Sequence, residues 1–189
     1  MDWHKIVNYL LLHFTMSVVT APGGDGHNSP KVKRCNNFLC CCVVSDDPTP
    51  TPPSPIPEVP RPTPLDVESW KISFDRLLHC AAGIKHFQEF LKSEYSEENL
   101  LFWLACEDLK EASENDIHYK TKIIYDKFIS TSSPSEVSLD GRMRDEVIKN
   151  LIEPDKNIYD EAQRHVYMLM RYDCYPRFMK YITQKFIKA

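Results

Sequence analysis

Cysteine and histidine are the residues of this sequence that could carry covalent chemistry or bind a metal. The chain has seven cysteines, an odd number, and its histidines are scattered without a spacing typical of ligands. His79 and Cys80 are adjacent, but neighbours on a helix point in different directions and cannot act together as base and nucleophile. The sequence also lacks a phosphate-binding glycine-rich loop, Gly-x-Ser-x-Gly and His-Glu-x-x-His. We therefore expect neither an enzyme nor a bound metal or cofactor.

A cysteine cluster lies beside basic residues in the segment 31–44. Three consecutive cysteines make a poor zinc site, because adjacent side chains diverge and the usual Cys-x-x-Cys spacing is absent. Acyl chains on several cysteines, with Lys31, Lys33 and Arg34 facing anionic lipid, would give stable membrane attachment, whereas one acyl chain binds weakly. A cluster of reactive or unmodified thiols is the alternative. The acylation candidates in this segment are Cys35, Cys40, Cys41 and Cys42.

Composition divides the chain into an N-terminal region, 1–64, and a domain, 65–189. Nine prolines between positions 48 and 64 predict an extended linker that cannot bury a core. The N-terminal region is neutral, so the net charge of −4 comes from the domain. An acidic domain lacks the positive field that phosphate binding needs, which argues against nucleic-acid binding. The cysteines form no disulfide framework, which favours a reducing, cytoplasmic setting.

The first 20 residues are open to three interpretations. An apolar stretch from Ile6 to Val19 follows Lys5, but polar residues interrupt it, and it is too short to span a bilayer comfortably. Val19-Thr20-Ala21 is tolerable as a signal-peptide cleavage pattern. A secretory signal, an interfacial anchor and a nonfunctional tail all stay open.

From Leu65 onward, apolar residues recur at spacings of three and four, which is the period of helices. No strand pattern competes, so the sequence predicts an all-α bundle with a single core. Ser96 is expected to cap the third helix, whose first turn carries Glu97 and Glu98. The predicted helices cover residues 65–78, 81–92, 97–111, 116–128, 140 to just before Pro154, 160–172 and 175–181.

One run combines polar residues in a loop and a first helical turn with large apolar residues further along. It extends from Phe90 to Trp103 and reads FLKSEYSEENLLFW. A capped core helix explains Ser96 and the two glutamates after it. Asn99 is a middling helix former that capping does not require, so this interpretation leaves Asn99 unexplained.

The run resembles the signature of the RGS-domain family, the regulators of G-protein signalling. The resemblance continues through WLACE at 103–107, EVSLD at 136–140, DEAQ at 160–163 and LMRYDCYPRF at 169–178, and spans residues 68–185. It implies an RGS-type bundle of about nine short helices over 65–189, preceded by a disordered Cys- and Pro-rich region. Loops at one end of such a bundle grip the switch regions of a Gα subunit.

The resemblance also implies Gα contacts in three loops. By family analogy, Asn99 touches the Gα glutamine that orients the attacking water. Asp173 is expected to accept hydrogen bonds from the switch I backbone, held in place by Arg177. The matching positions are Glu94, Tyr95, Ser96, Glu98 and Asn99 in the first loop, Glu136, Ser138, Asp140 and Arg144 in the second, and Leu169, Asp173, Cys174 and Arg177 in the last.

The implied function is that of a GTPase-activating protein for GTP-bound Gα, which attenuates receptor signalling and supplies no catalytic chemistry of its own. Gα carries its arginine in cis, so a partner need only position the switch regions in their transition-state arrangement. Arg177 is then a structural partner of Asp173. The alternative is an RGS-fold scaffold or effector antagonist that binds Gα without acceleration. A third hypothesis is an acylated adaptor that works through its proline-rich linker.

Two positions depart from the family pattern, since many members have Asn at Ser138 and usually Ser at Cys174. A hydroxyl reaches less far than an amide, and a thiol is a weak donor, so both changes bear on affinity and Gα selectivity. Ser138 and the cysteine cluster resemble the RZ subfamily, which implies Gi-class targets with Gz and Gq as candidates. It also implies palmitoylation and a peripheral location on the plasma membrane or Golgi. We expect a monomer. Cys106 lies where the family can also be acylated, and a buried core cysteine is the alternative.

Overall fold

The computed structural model describes residues 62–187, and the side chains of residues 62–186. This part of the chain contains eight α-helices and no strand, which confirms the predicted all-α class. None of these helices is long and apolar enough to cross a membrane. The helices are α1 (Pro64–Ile72), α2 (Phe74–Leu78), α3 (Ala81–Ser93), α4 (Glu97–Lys110), α5 (Ile117–Ile124), α6 (Gly141–Asn150), α7 (Asp160–Leu169) and α8 (Tyr175–Ile187).

The first helix of the described residues begins with a capping box at Thr63. The Thr63 hydroxyl accepts from the Asp66 amide at 3.2 Å, and the Asp66 carboxylate accepts from the Thr63 amide at 2.8 Å. Pro64 follows in the first turn, where its missing N–H leaves no hydrogen bond unmade. These contacts fix the start of α1 immediately after the proline-rich segment.

The single helix predicted over 65–78 is wrong in one respect, because the chain breaks at Ser73. Ser73 has extended backbone angles, φ −155° and ψ 138°, and its hydroxyl accepts from the Asp75 amide to cap α2. The apolar spacing continues through the break, so periodicity alone does not show it. The last helix is also longer than predicted, since α8 continues to Ile187 rather than ending near Tyr181.

Two π-helical segments extend helices that were predicted as continuous. Tyr125–Ile129 follows α5 directly, and Met170–Cys174 joins α7 to α8. A π-helical turn shifts the face on which later side chains lie, and such turns occur frequently at functional sites. The first segment leads towards the second predicted contact loop, and the second contains Asp173 and Cys174.

Aromatic side chains form the centre of the core. The Phe87 ring packs edge-on against Phe74 and Phe178, with centroids 5.6 and 5.2 Å apart. The Phe102 ring makes similar contacts with Phe128 and Tyr159. Pairs of this geometry contribute about 0.5–1.5 kcal/mol each beyond their burial. They fix the positions of α3, α4 and α8, whose ends flank the first and last predicted contact loops.

Hydrogen bonds between residues far apart in sequence join α1 to α8 and α2 to α7. The Tyr175 hydroxyl donates to the Trp70 carbonyl at 2.6 Å, and the Tyr167 hydroxyl donates to the Asp75 carboxylate at 2.8 Å. Gly83 allows α3 to approach α2 closely, because a Cβ there would lie 2.4 Å from the Leu77 carbonyl oxygen. These contacts help to position α3 and α8, at whose ends the first and last predicted contact loops lie.

Candidate partner-binding face

The first predicted contact loop is a tight helix ending at residues 94–96. The Ser96 amide donates to the Leu91 carbonyl at 2.9 Å and the Tyr95 amide to the Lys92 carbonyl at 3.2 Å. This pair of bonds is the Schellman motif, which requires a left-handed residue just after the helix. Tyr95 occupies that position with φ 55°, and its side chain is 95% exposed. The motif therefore presents a tyrosine where glycine is usual.

The expectation that the Ser96 side chain caps α4 is wrong. Ser96 occupies the cap position, but its hydroxyl donates instead to the Leu91 carbonyl at 3.4 Å. The Schellman motif at the end of α3 holds Ser96 close to Leu91, which draws the hydroxyl away from the start of α4. Glu97 and Glu98 still favour the helix start through its dipole.

Asn99 lies in the first turn of α4 and is 6% exposed. Its amide nitrogen donates to the Ser96 carbonyl at 3.2 Å and to a Glu98 carboxylate oxygen at 2.8 Å. Its Oδ1 is buried and accepts no hydrogen bond from the described residues. A buried acceptor without a partner costs about 1–3 kcal/mol. The fold therefore leaves one buried acceptor unsatisfied in the first turn of α4.

Glu98 is half-buried beside Asn99. Burial raises the pKa of Glu98, and the hydrogen bond from the Asn99 amide is among the contacts that act in the opposite direction. The two side chains therefore form a hydrogen-bonded pair. This hydrogen bond fixes the orientation of the Asn99 amide group, with Nδ2 towards Glu98.

The last predicted loop is joined to the first by Arg177. Its guanidinium donates to both Glu94 carboxylate oxygens, at 3.2 Å from Nε and 2.8 Å from Nη2. Nη1 donates to the Asp173 carboxylate and to the Asp173 carbonyl. Hydrogen bonds to Glu94 and Asp173 raise the pKa of Arg177 above its usual value. The predicted pair of Arg177 and Asp173 is present, and Glu94 is a further partner that sequence reasoning placed only in contact with Gα.

Leu169 and Cys174 flank this cluster and differ in exposure. Leu169 is partly exposed at the end of α7, whereas Cys174 is 4% exposed in the π-helical segment. The Cys174 thiol faces the Asp173 carboxylate with its sulfur 3.9 Å from Oδ2. Burial, followed by the charge of Asp173, raises the pKa of Cys174 to about 11. The thiol stays protonated at neutral pH and makes only a weak hydrogen bond.

The second predicted loop is held by its own contacts. Arg144 forms an ion pair of 2.5 Å with Glu136, and both side chains are partly buried. Asp140 caps α6 by accepting from the Met143 amide at 2.8 Å. Ser138 is exposed between them. Glu136, Asp140 and Arg144 therefore have structural partners within the loop and α6, and Ser138 is presented to solvent.

The second loop contacts the π-helical segment after α5. The Val137 amide donates to the Phe128 carbonyl at 2.9 Å, which ties the loop to the π-helical segment after α5. Within that segment, burial lowers the pKa of Lys127 to about 8, and the charge of Glu97 at the start of α4 acts in the opposite direction. Lys127 is half-buried, and its carbonyl accepts from the Ser133 hydroxyl in the chain leading to the second loop. The sequence offered no signal for it, because a lone lysine on a helix is ordinarily a solvated residue.

The lipidation candidates fall into two groups. Cys106 is 2% exposed in the core face of α4, and burial raises the pKa of its thiol well above the usual value. An acyl chain cannot reach this sulfur in the folded domain, so the buried alternative describes Cys106. The other candidates lie outside the described residues: Cys35, Cys40, Cys41 and Cys42. Within residues 62–187, no cluster of three His, Cys, Asp or Glu side chains could hold a metal ion.

Comparison with known proteins connects this face to one family. The profile of the regulator of G protein signaling domain matches residues 73–183. Human Regulator of G-protein signaling 20 is 50% identical over 129 residues, which cover 68% of this chain and 33% of the relative. Human Regulator of G-protein signaling 19 is 48% identical over 125 residues, covering 66% and 58%. Regulator of G-protein signaling rgs-2 of Caenorhabditis elegans is 52% identical over 114 residues, covering 60% and 68%.

The matched region is the helical domain, and it spans between a third and somewhat over half of the length of the two human relatives. Those relatives are of the RZ subfamily, so the predicted subfamily resemblance is confirmed for the domain. The profile match covers more than half of the chain and includes all three predicted contact loops. The chain therefore belongs to the RGS family, the regulators of G-protein signalling.

Proposed function

We propose that this chain is a GTPase-activating protein for heterotrimeric G-protein α subunits. The observation that supports this most strongly is the preassembled cluster of Glu94, Arg177 and Asp173, beside a first loop in which the buried Asn99 acceptor is left unsatisfied. Such a face can hold mobile switch segments by hydrogen bonds without donating a catalytic group. The family membership supplies the class of partner.

The proposed mechanism is stabilisation of the transition-state arrangement of the Gα switches. A partner accelerates hydrolysis only if it binds this arrangement more tightly than the ground state, and each tenfold acceleration requires about 1.4 kcal/mol of that difference. Arg177 has all three guanidinium nitrogens engaged by Glu94 and Asp173. It is therefore committed to holding Asp173 and is not available as an arginine finger.

The preferred partner is proposed to be a Gi-class subunit, with Gz and Gq as further candidates. Similarity to Regulator of G-protein signaling 19 and 20 supports this choice. The protein is proposed to act as a monomer at the inner face of the plasma membrane or on Golgi membranes. Acylation of the cysteine cluster at 35–42, which lies outside the described residues, would supply the attachment.

The exposed Ser138 and weakly bonded Cys174 favour one competing function, a scaffold or effector antagonist that binds Gα without accelerating hydrolysis. The nucleotide dependence of binding separates the two. We expect the full chain to bind Gαi loaded with GDP and aluminium fluoride at least tenfold more tightly than the GDP form or the form with a non-hydrolysable GTP analogue. Equal affinity for the aluminium fluoride and GTP-analogue forms would favour the scaffold, and no binding would contradict both functions.

A further inference from the structure

Glu94 and Arg177 form the one fork-to-fork ion pair between the first and last loops in the described part of the chain. Two guanidinium nitrogens meet two carboxylate oxygens across 83 residues of sequence. The third nitrogen, Nη1, is left for Asp173. Bidentate pairs fix the plane of both groups, which a single hydrogen bond does not.

The pair of Asp173 and Arg177 is weak when considered alone. The residues are four apart, and their side chains are 59% and 45% exposed. An exposed pair at this spacing contributes about 0.3–0.5 kcal/mol, which leaves both side chains with several rotamers. Asp173 therefore needs a further contact if its carboxylate is to be held in one orientation.

Glu94 can supply that contact because its own position is fixed. It is the cap residue directly after α3, where its amide donates to the Leu91 carbonyl at 3.0 Å. Its side chain is 29% exposed, half as much as that of Asp173. Both Glu94 oxygens already accept from Arg177. The more exposed Asp173 carboxylate is therefore the better acceptor for the backbone amides of a partner. The other oxygen of Asp173, Oδ2, faces only the weak Cys174 donor and can accept from outside.

We propose that Glu94 is a positioning residue, which acts through Arg177 to orient Asp173 and does not itself contact Gα. This inference rests on the proposed function. It predicts that the effects of Glu94 and Asp173 on acceleration are coupled, since loss of Asp173 removes the group that Glu94 orients. Glu94 and Asn99, which share no hydrogen bond, act independently.

The test is a double-mutant cycle on the full chain with single-turnover GTP hydrolysis by Gαi. Glu94→Gln removes the charge but keeps the size, and we expect it to lower kcat/KM about tenfold, in the range for a charged hydrogen bond. In the Asp173→Asn background the same change should lower it less than twofold. Glu94→Gln with Asn99→Ala should show the product of the two single effects. Glu111→Gln, an exposed glutamate at the end of α4, is the matched control.

Unfolding by urea checks that each variant keeps a native stability. Full additivity of Glu94→Gln and Asp173→Asn would overturn the inference and assign Glu94 to a direct Gα contact. An unchanged kcat/KM for Glu94→Gln would also overturn it. If the unmodified chain itself produced no acceleration, the proposed function would fail and this inference with it. The wild-type reaction therefore distinguishes the two failures.

Discussion

The Cys174 thiol is a weak hydrogen-bond donor within the proposed face. Its sulfur lies 3.9 Å from the Asp173 carboxylate, and its raised pKa of about 11 keeps it protonated at neutral pH. A hydroxyl at this position would make a shorter and stronger bond to the carboxylate. The residue therefore limits how firmly Oδ2 of Asp173 is held.

Replacing Cys174 with serine is predicted to raise the acceleration of Gα. A net hydrogen bond contributes about 0.5–1.5 kcal/mol, which corresponds to about two- to tenfold in kcat/KM. Single-turnover hydrolysis by Gαi measures it, with Cys80→Ser as a control because Cys80 is half-buried at the start of α3. A serine variant slower than the wild type, with unchanged stability, would show that the thiol itself contacts Gα.

Sequence reasoning predicts the local contacts of this face better than its long-range contacts. The pair of Asp173 and Arg177 spans one helical turn, so the family resemblance could imply it directly. The pair of Glu94 and Arg177 depends on how α3 packs against α8, which no local pattern contains. The unsatisfied Oδ1 of Asn99 and the hydroxyl contact of Ser96 likewise depend on the fold around them.

At the end of α3, the residue that suits the proposed function is not the one that would give the most stable helix end. Its Schellman motif needs a left-handed residue, and a side chain in that conformation costs about 1 kcal/mol or more. Tyr95 adopts this strained conformation, and its side chain gains almost no packing, since it is 95% exposed. Strain of this kind persists where a side chain serves another purpose.

Tyr95→Gly is predicted to leave the domain as stable as the wild type or to stabilise it by up to about 1 kcal/mol, because glycine adopts the left-handed conformation without strain. The same change should weaken Gα binding, because it removes an exposed aromatic contact. Urea unfolding and binding to the aluminium fluoride form of Gαi measure the two effects. Tyr119→Gly, an exposed tyrosine within α5, is the control that should lose stability. A marked loss of stability in Tyr95→Gly would show that the ring packs on the domain.

His86 makes the stability of α3 dependent on pH. Burial lowers its pKa below 6.5, Lys185 and Lys85 act in the same direction, and Glu89 acts in the opposite one. Its ring packs against Phe186 with centroids 5.5 Å apart. The folded chain therefore takes up this proton less readily than the unfolded chain. The stabilisation from neutral His86 is complete above about pH 6.5 and is lost as the pH falls below it.

His86→Gln is accordingly predicted to reduce the loss of stability between pH 7.5 and 5.5. The measurement is the free energy of unfolding in urea at both pH values, for the variant and the wild type. His118→Gln is the control, because His118 is exposed on α5. An equal loss in the wild type and His86→Gln would contradict the burial of this ring.

The spacing of apolar residues predicted which segments are helical. It predicted the positions of the helix ends only in part. The starts of α3, α4 and α7 agree with the spacing of apolar residues. The break at Ser73 and the two π-helical segments keep the same apolar spacing on both sides, so the pattern continues through them. The Ser73 cap is a local signal that the apolar spacing does not contain, and the spacing likewise does not show where the backbone turns π-helical.

The whole chain combines a helical domain with an N-terminal region of different composition. The domain carries the net negative charge, and the basic residues beside the cysteine cluster are the part suited to anionic lipid. We propose that the domain recognises Gα and that the N-terminal region attaches the protein to membranes. Residues 1–61 lie outside the described residues, so attachment stays a prediction.

Replacing Cys40, Cys41 and Cys42 with serine is predicted to release the protein from membranes while leaving its acceleration of Gα in solution unchanged. Stable anchoring needs two signals, and the change removes acyl chains while it keeps the basic residues. Fractionation of cells that express the full chain measures the first effect, and single-turnover hydrolysis the second. Cys80→Ser controls for the loss of a cysteine elsewhere. Unchanged membrane partition would move the anchor to residues 1–20.

The central claim is that the helical domain accelerates GTP hydrolysis by Gα through positioning. The most direct test is single-turnover hydrolysis by Gαi with the wild-type chain, Asn99→Ala and, as control, Asn115→Ala in the exposed loop after α4. We predict acceleration by the wild type and the control. Asn99→Ala should lose about tenfold or more, equivalent to 1.4 kcal/mol, without losing stability. No acceleration by the wild type, or full activity in Asn99→Ala, would contradict the account.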